Sequence, residues 1–429
     1  MFISCSSLWS NLACADEDKT RVYLERSRSS PINLLLWRRF DVPPLDPFLQ
    51  IIPQAIGRLK SLFVKVKPEE LQAIAGHLSH SAPLLERLDV DGAFQILSGR
   101  RCVLPSTIFG GDLSSLRELN LDTVLTELPW RNMANLTSFT WRSNLVDDFT
   151  IGQLLDFLET APRLRKIYFN FATLVSGGEN GRLISLDHLE RMGVIECGPT
   201  SILFDHLVIP VGAKLKIQHS VIEDQIPRLL ENLKNLSDFT EVHICDNVRP
   251  HLRLRGPNGR ALMDVGAIDV DTTNLFFESL ARFDASKTEQ LKIDSCIFPS
   301  GDILHRTLLP LENLRTLILV QRGDLCLLVD TLNPNKSRSR KVVCPSLEEF
   351  IFKFYPNKVE TRGVMKMAAA RASRGAKLRT VVAVGDEDEL DLADVSKFRK
   401  RGLHEEWDLE IDDESDDDSE EDYCGRFWR

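Results

Sequence analysis

Residues 136–146, "LTSFTWRSNLV", hold the pattern that decides the fold. Leu136, Phe139, Trp141, Asn144 and Val146 fall at places 1, 4, 6, 9 and 11 of this phrase. Places 4 and 6 are two residues apart, so on a strand both point to one side, and places 3, 5 and 7 point to the other. The leucine at place 1 tucks in from the preceding turn. An asparagine at place 9 suits a hydrogen bond to turn backbone. One such strand cannot bury its apolar side alone, but neighbours stacked as a parallel sheet can.

The phrase recurs along the chain. It is written by Leu59/Leu62/Val64, Leu85/Leu88/Val90, Leu116/Leu119/Leu121/Val124 and Leu164/Ile167/Phe169. It returns in Phe239/Val242/Ile244/Asn247, Leu314/Leu317/Leu319, Leu347/Phe350/Phe352 and Leu378/Val381/Ala383, and "LKIDSCIF" keeps its second half, with Cys296 at place 9. This strand-plus-turn repetition is the grammar of leucine-rich repeats. Helical stretches lie between: "PEELQAIAGHLSHSAPLL" with Pro68 at its start, "DFTIGQLLDFLETAPRL", "DTTNLFFESLARFD", and an alanine-rich segment ending near Gly375. The expected fold class is therefore α/β, a leucine-rich-repeat-like solenoid with a parallel strand array backed by helices. Its repeats are irregular, because successive phrases start at 59, 85, 116, 136 and 164. That unevenness also suits a compact α/β fold, but no phosphate loop or switch-point glycine cluster accompanies it. "HLRLRGPNGRALMDV" alternates and then turns at "GPNG", which predicts a β-hairpin over 251–265 inserted among the repeats.

The formal net charge of −10 belongs to one end of the 429 residues. Residues 405–422 carry 13 of the 63 acids and no base, leaving the rest close to neutral. That balance points to no nucleic-acid surface, and no apolar run is long enough to span a membrane. The like-charged segment 403–429 is expected to be a disordered acidic tail. Nine cysteines without a Cys-x-x-Cys predict reduced thiols, a cytoplasmic or nuclear setting and no zinc ribbon. Basic runs at 336–341 and 397–401 leave the nuclear reading open. Catalytic motifs for acyl, phosphoryl or dinucleotide chemistry are missing. His77 and His80 sit one helical turn apart without further ligands nearby. So the sequence predicts no enzyme, no catalytic residue, no metal ligand and no cofactor.

Several phrases occur in a specific order: "SLWSNL", "RVYLERSRSSPINL", "HLSHSAPLLERLDV", "LPSTIFGGDLSSLRELNL", "TELPWRNMANLTSF" and "LLDFLETAPRLRKI". In that order the chain resembles the large F-box proteins of mushroom-forming fungi, from residue 6 to about residue 385. The resemblance implies an F-box that binds the Skp1 adaptor of a cullin-type ubiquitin ligase, followed by a leucine-rich region that holds a target. The F-box would lie ahead of "SLWSNL", so its Skp1-binding helices are not in this sequence. Residues 1–50 would be the segment following an F-box, 51–402 the repeat domain and 403–429 the tail.

The functional expectation is thus a non-catalytic protein-recognition module whose target is unknown, with Skp1 a partner only if an F-box precedes it. An unrecognised α/β enzyme or an orphan repeat protein is the alternative. The residues expected to meet a partner are the outward ones of four successive strands: Arg87, Asp89 and Asp91; Glu118, Asn120 and Asp122; Ser138, Thr140 and Arg142; Lys166, Tyr168 and Asn170. Tyr168 is the expected anchor, because aromatic side chains dominate interface energetics.

Overall fold

The computed structural model describes residues 5–13, 16–37, 49–92, 103–126, 132–142, 149–170, 174–178, 181–195, 200–219, 239–246, 250–257, 261–267, 273–281, 285–321, 323–336, 341–354 and 356–383. Asn144, Val146, Asn247, the basic run 397–401 and the tail 403–429 lie outside them.

The repeated phrase becomes one sixteen-stranded sheet. Its first nine strands are β1 (Asn11–Ala13), β2 (Ile32–Trp37), β3 (Leu59–Lys65), β4 (Arg87–Asp91), β5 (Glu118–Asp122), β6 (Ser138–Arg142), β7 (Lys166–Asn170), β8 (Arg191–Ile195) and β9 (Lys214–His219). Then come β10 (Glu241–Cys245), β11 (His251–Arg255), β12 (Ala261–Ala267), β13 (Gln290–Asp294), β14 (Thr316–Leu319), β15 (Glu349–Phe352) and β16 (Thr380–Ala383). Neighbours from β1 to β9 and from β13 to β16 follow chain order and are parallel. Strands β1 and β2 join the same sheet as those after residue 51.

Places 4 and 6 explain this stacking. Leu88, Leu119, Phe139, Ile167, Met192 and Leu215 stand in one register row, and Val90, Leu121, Trp141, Phe169, Val194 and Ile217 in the next. All are buried in one continuous core, Trp141 included at 4% exposure. Each such side chain contributes on the order of 1.5–3 kcal/mol when fully buried. Phe139 lies 4.6 Å from Phe157 of the helix behind it and 5.7 Å from Phe169 of the next strand, centroid to centroid. The turn before each strand repeats too: the carbonyl of Arg117 accepts from the amides of Thr137 and Ser138, and that of Thr137 from Arg165 and Lys166. Each repeat is thus fastened to its neighbour before pairing starts, which leaves few turn polar groups unsatisfied.

The expected hairpin is present as β11 and β12, paired antiparallel. Its surroundings were not legible beforehand. Strand β12 pairs parallel with β9, β10 pairs antiparallel with β11, and β10 then pairs parallel with β13. The three inserted strands therefore run in reverse spatial order, and β11 alone opposes its neighbours.

Helices cover the apolar side. They are α1 (Glu17–Ser27), α2 (Pro68–His77), α3 (Ile151–Thr160), α4 (Thr273–Leu280), α5 (Gly301–Leu308), α6 (Leu325–Leu332) and α7 (Lys358–Ser373), with short turns at Ile52–Ala55 and Thr200–Phe204. Thr150 and Gln153 form a capping box on α3, and Asn357 and Glu360 do so on α7. Helix α7 is followed by Gly375 at φ 80°, the left-handed position that glycine tolerates. Its Arg371, fully buried, donates to the carbonyls of Val343 and Cys344 and so ties the helix to the turn before β15. Three short parallel strand pairs join the connecting segments: Val103–Leu104 with Leu125–Thr126, Phe149–Thr150 with Leu174–Val175, and Ile184–Ser185 with Leu207–Val208. Among the described residues, no helix is long and apolar enough to cross a membrane.

Candidate interaction surface

Because places 4 and 6 face the core, places 3, 5 and 7 form the other side of the sheet. Register turns the expected residues into three rows. Arg87, Glu118, Ser138 and Lys166 make the first; Asp89, Asn120, Thr140 and Tyr168 the second; Asp91, Asp122, Arg142 and Asn170 the third. All twelve therefore lie on one surface.

The rows are not equally open. Lys166 is exposed, most of the others are half-buried, and Asp89 is only 2% exposed. The Asp89 carboxylate accepts from Arg87 Nε at 2.6 Å and from Asn120 Nδ2. It organises its neighbours and has little surface left to offer a partner. Arg87 also reaches Glu118 at 3.4 Å, Lys65 pairs with Asp91 at 2.7 Å, and Arg142 approaches Asp122 at 4.0 Å. Burial, and next the neighbouring Asp91, raise the Asp122 carboxyl above its ordinary value, against a lowering hydrogen bond from Thr123. Acids and bases over β4–β6 thus largely satisfy each other.

Tyr168 is held differently. The Arg142 guanidinium lies 5.6 Å from its ring centroid. On the other side stands Gly193, where an added Cβ would come within 2.5 Å of Tyr168 Cδ2. The ring rests on the space that the missing side chain leaves. Gly193 is thus a positioning residue for the expected anchor, one that the strand pattern alone does not reveal.

Beyond Tyr168 the surface turns basic. Arg191 and Lys214 continue the first row, and Lys216 continues the second past Gly193. Lys166, Arg191, Lys214 and Lys216 are all exposed. Arg165 and Glu190 pair at the edge of this patch. The four strands expected to meet a partner end at β7, so these three bases were not among the expected contacts. The signal was present in Leu189, Met192 and Val194, which occupy places 1, 4 and 6 of a further phrase.

A second polar cluster sits on the same side of the sheet, in the insertion. His243 and Cys245 of β10 meet His251 of β11, with their ligand atoms all within 4.8 Å of one another. Burial foremost, then the charges of Lys292, His251, Arg253 and Arg255, push the His243 imidazole down to about 3, so it is neutral. His77 and His80 form no such group with other ligands among the described residues.

Neither a family model nor a curated protein matches the chain. Among solved structures it is similar to one described as the crystal structure of a TLR13–ssRNA13 complex, at 14% identity and a TM-score of 0.30. The match covers 80% of this chain and 47% of that one, so the chain spans about half of that protein's length.

Proposed function

We propose that the chain is a non-catalytic, leucine-rich-repeat-like solenoid that recognises a partner protein with the outward side of its sheet. The contact centres on Tyr168 and the basic patch of Lys166, Arg191, Lys214 and Lys216. One observation carries this reading: parallel register sets an anchored aromatic beside four exposed bases on adjacent strands. A broad surface of this kind suits an extended, acid-bearing protein segment better than a small molecule. Arg87, Asp91, Glu118, Asn120, Asp122, Arg142 and Asn170 frame the contact, and Asp89 holds the frame.

The ordered phrases from "SLWSNL" to "LLDFLETAPRLRKI" support a finer reading. In it, residues 51–402 are the target-binding region of an F-box-type protein and 403–429 an acidic arm. Skp1 would be recruited by an F-box encoded ahead of residue 1. Two affinity purifications test the two levels. Capture with this chain, against a variant carrying K166E, R191E, K214E and K216E together, tests the surface; a partner retained equally by both would contradict it. Capture with the natural upstream sequence restored tests the ligase reading; absence of Skp1 from that complex would remove it and leave the recognition module standing.

A further inference from the structure

We propose that His243, Cys245 and His251 bind a thiophilic d10 metal ion, copper(I) in preference to zinc(II). The placement is a product of the topology. Val242 and Ile244 of β10 and Leu252 and Leu254 of β11 fill the core, so the residues between them face outward. The antiparallel register sets Cys245 directly opposite His251, and His243 opposite Arg253. The start of β11 thereby lies beside the end of β10, and three donors from two strands converge. A parallel neighbour would have carried the second imidazole to the far end of the strand.

The donors are chemically ready. Two imidazoles and one thiol are the set that soft and borderline ions favour. Cys245 is 4% exposed and both histidines are half-buried. His243 Nε2 is buried and has no hydrogen-bond partner. A buried polar atom without a partner is costly, and in the tautomer that leaves Nε2 unprotonated a metal ion would satisfy it. The imidazole rings stand edge to face, with centroids 5.4 Å apart. Bonds of about 2.0–2.3 Å to one ion set donors roughly 3.5 Å apart, so side-chain shifts of about an ångström close the group from 4.8 Å.

The surrounding charges choose the ion. Lys292 stands in register beside His243, and Arg253 and Arg255 lie on β11. Arg253 is paired with Asp264 at 3.0 Å and Arg255 stands opposite Glu241, while Asp294, in register with Cys245, keeps its charge as it accepts from Gln321; the positive charge acting on His243 comes first from Lys292. Binding releases the thiol proton. Copper(I) with the thiolate then adds no net charge to this basic neighbourhood, whereas zinc(II) adds one. Three donors also suffice for trigonal copper(I), while structural zinc takes four.

The full chain, purified under anaerobic reducing conditions, tests this by titration with copper(I) and with zinc(II) in separate arms. The expected result is uptake of one copper(I) per chain, in competition with a chromogenic chelator. X-ray absorption of that sample should show two nitrogen neighbours and one sulfur. Cys245→Ser and His251→Asn should each weaken binding by more than about a hundredfold, beyond the usual effect of outer-shell changes, while exposed Cys296→Ser leaves it unchanged. Circular dichroism of each variant identifies any that has simply unfolded, and His243→Phe supplies a further apolar replacement. Failure of the chain to take up copper(I) stoichiometrically, uptake that survives Cys245→Ser, or a preference for zinc(II) would overturn the proposal.

Discussion

Strands β4–β6 and β7–β9 share one core and differ in what they show to water. Over β4–β6, Arg87, Asp89, Glu118, Asn120, Asp122 and Arg142 are bonded to one another and half-buried or buried. Over β7–β9, Lys166, Arg191, Lys214 and Lys216 stand exposed around a tyrosine seated on a glycine. The inner rows are continuous across both regions. Stacking therefore fixes the inward positions and leaves the outward ones open to a different requirement. One half uses that freedom to satisfy its own charges, and the other keeps four bases exposed.

The largest effect should come from the core that both halves share. Trp141→Ala is expected to cost about 3–5 kcal/mol by chemical denaturation, with unfolding still a single transition. A loss below about 1 kcal/mol would mean that the two halves are not joined through that row. Asp89→Ala should cost about 1–3 kcal/mol, because Arg87 and Asn120 lose a buried acceptor, whereas Asp91→Ala, paired near the surface, should cost less than about 1 kcal/mol. Equal losses would break the distinction between a buried organiser and a surface pair.

A smaller effect of opposite sign belongs to Asp122. Its folded-state carboxyl titrates above the ordinary value of 3.8, so the fold disfavours the ionised form. Stability from this group is full below 3.8 and is lost as the pH rises through the raised folded value. Asp122→Asn should therefore stabilise modestly at neutral pH and lose that advantage as the pH falls below 3.8. Thermal melts at several pH values would show it, and destabilisation at pH 7 would contradict it. The smallest effect is expected for Lys166→Glu, Lys214→Glu and Lys216→Glu, each within about 0.5 kcal/mol of the natural protein. A larger loss would show that these bases, like those over β4–β6, are structural.

The sequence carried most of the sheet because places 4 and 6 are enforced by burial in repeat after repeat, down to the last described strand, where Val381 and Ala383 are only half-buried. It was least clear where another demand overrode the phrase. In β2, "INLLLW" is apolar on both sides, so its alternation is hidden. In β9, Gly212 with φ 93° occupies the place of the leading leucine. The anchor Tyr168 was readable from strand parity, but the space beneath it depends on Gly193 of another strand. The His243–Cys245–His251 group could not be read from spacing, because only the reversed strand β11 brings its third member across. Asp89 kept its outward parity yet lost its exposure, since its bonds to Arg87 and Asn120 follow from register rather than from local sequence.

In the proposed function the basic half, and not the self-paired half, is the contact surface. Amide exchange of the full chain, with and without its captured partner, tests this most directly. Slowed exchange is expected across Lys166–Asn170, Arg191–Ile195 and Lys214–His219, with Arg87–Asp91 and Glu118–Asp122 little changed. Protection confined to Arg87–Asp91 and Glu118–Asp122, with none across β7–β9, would contradict it.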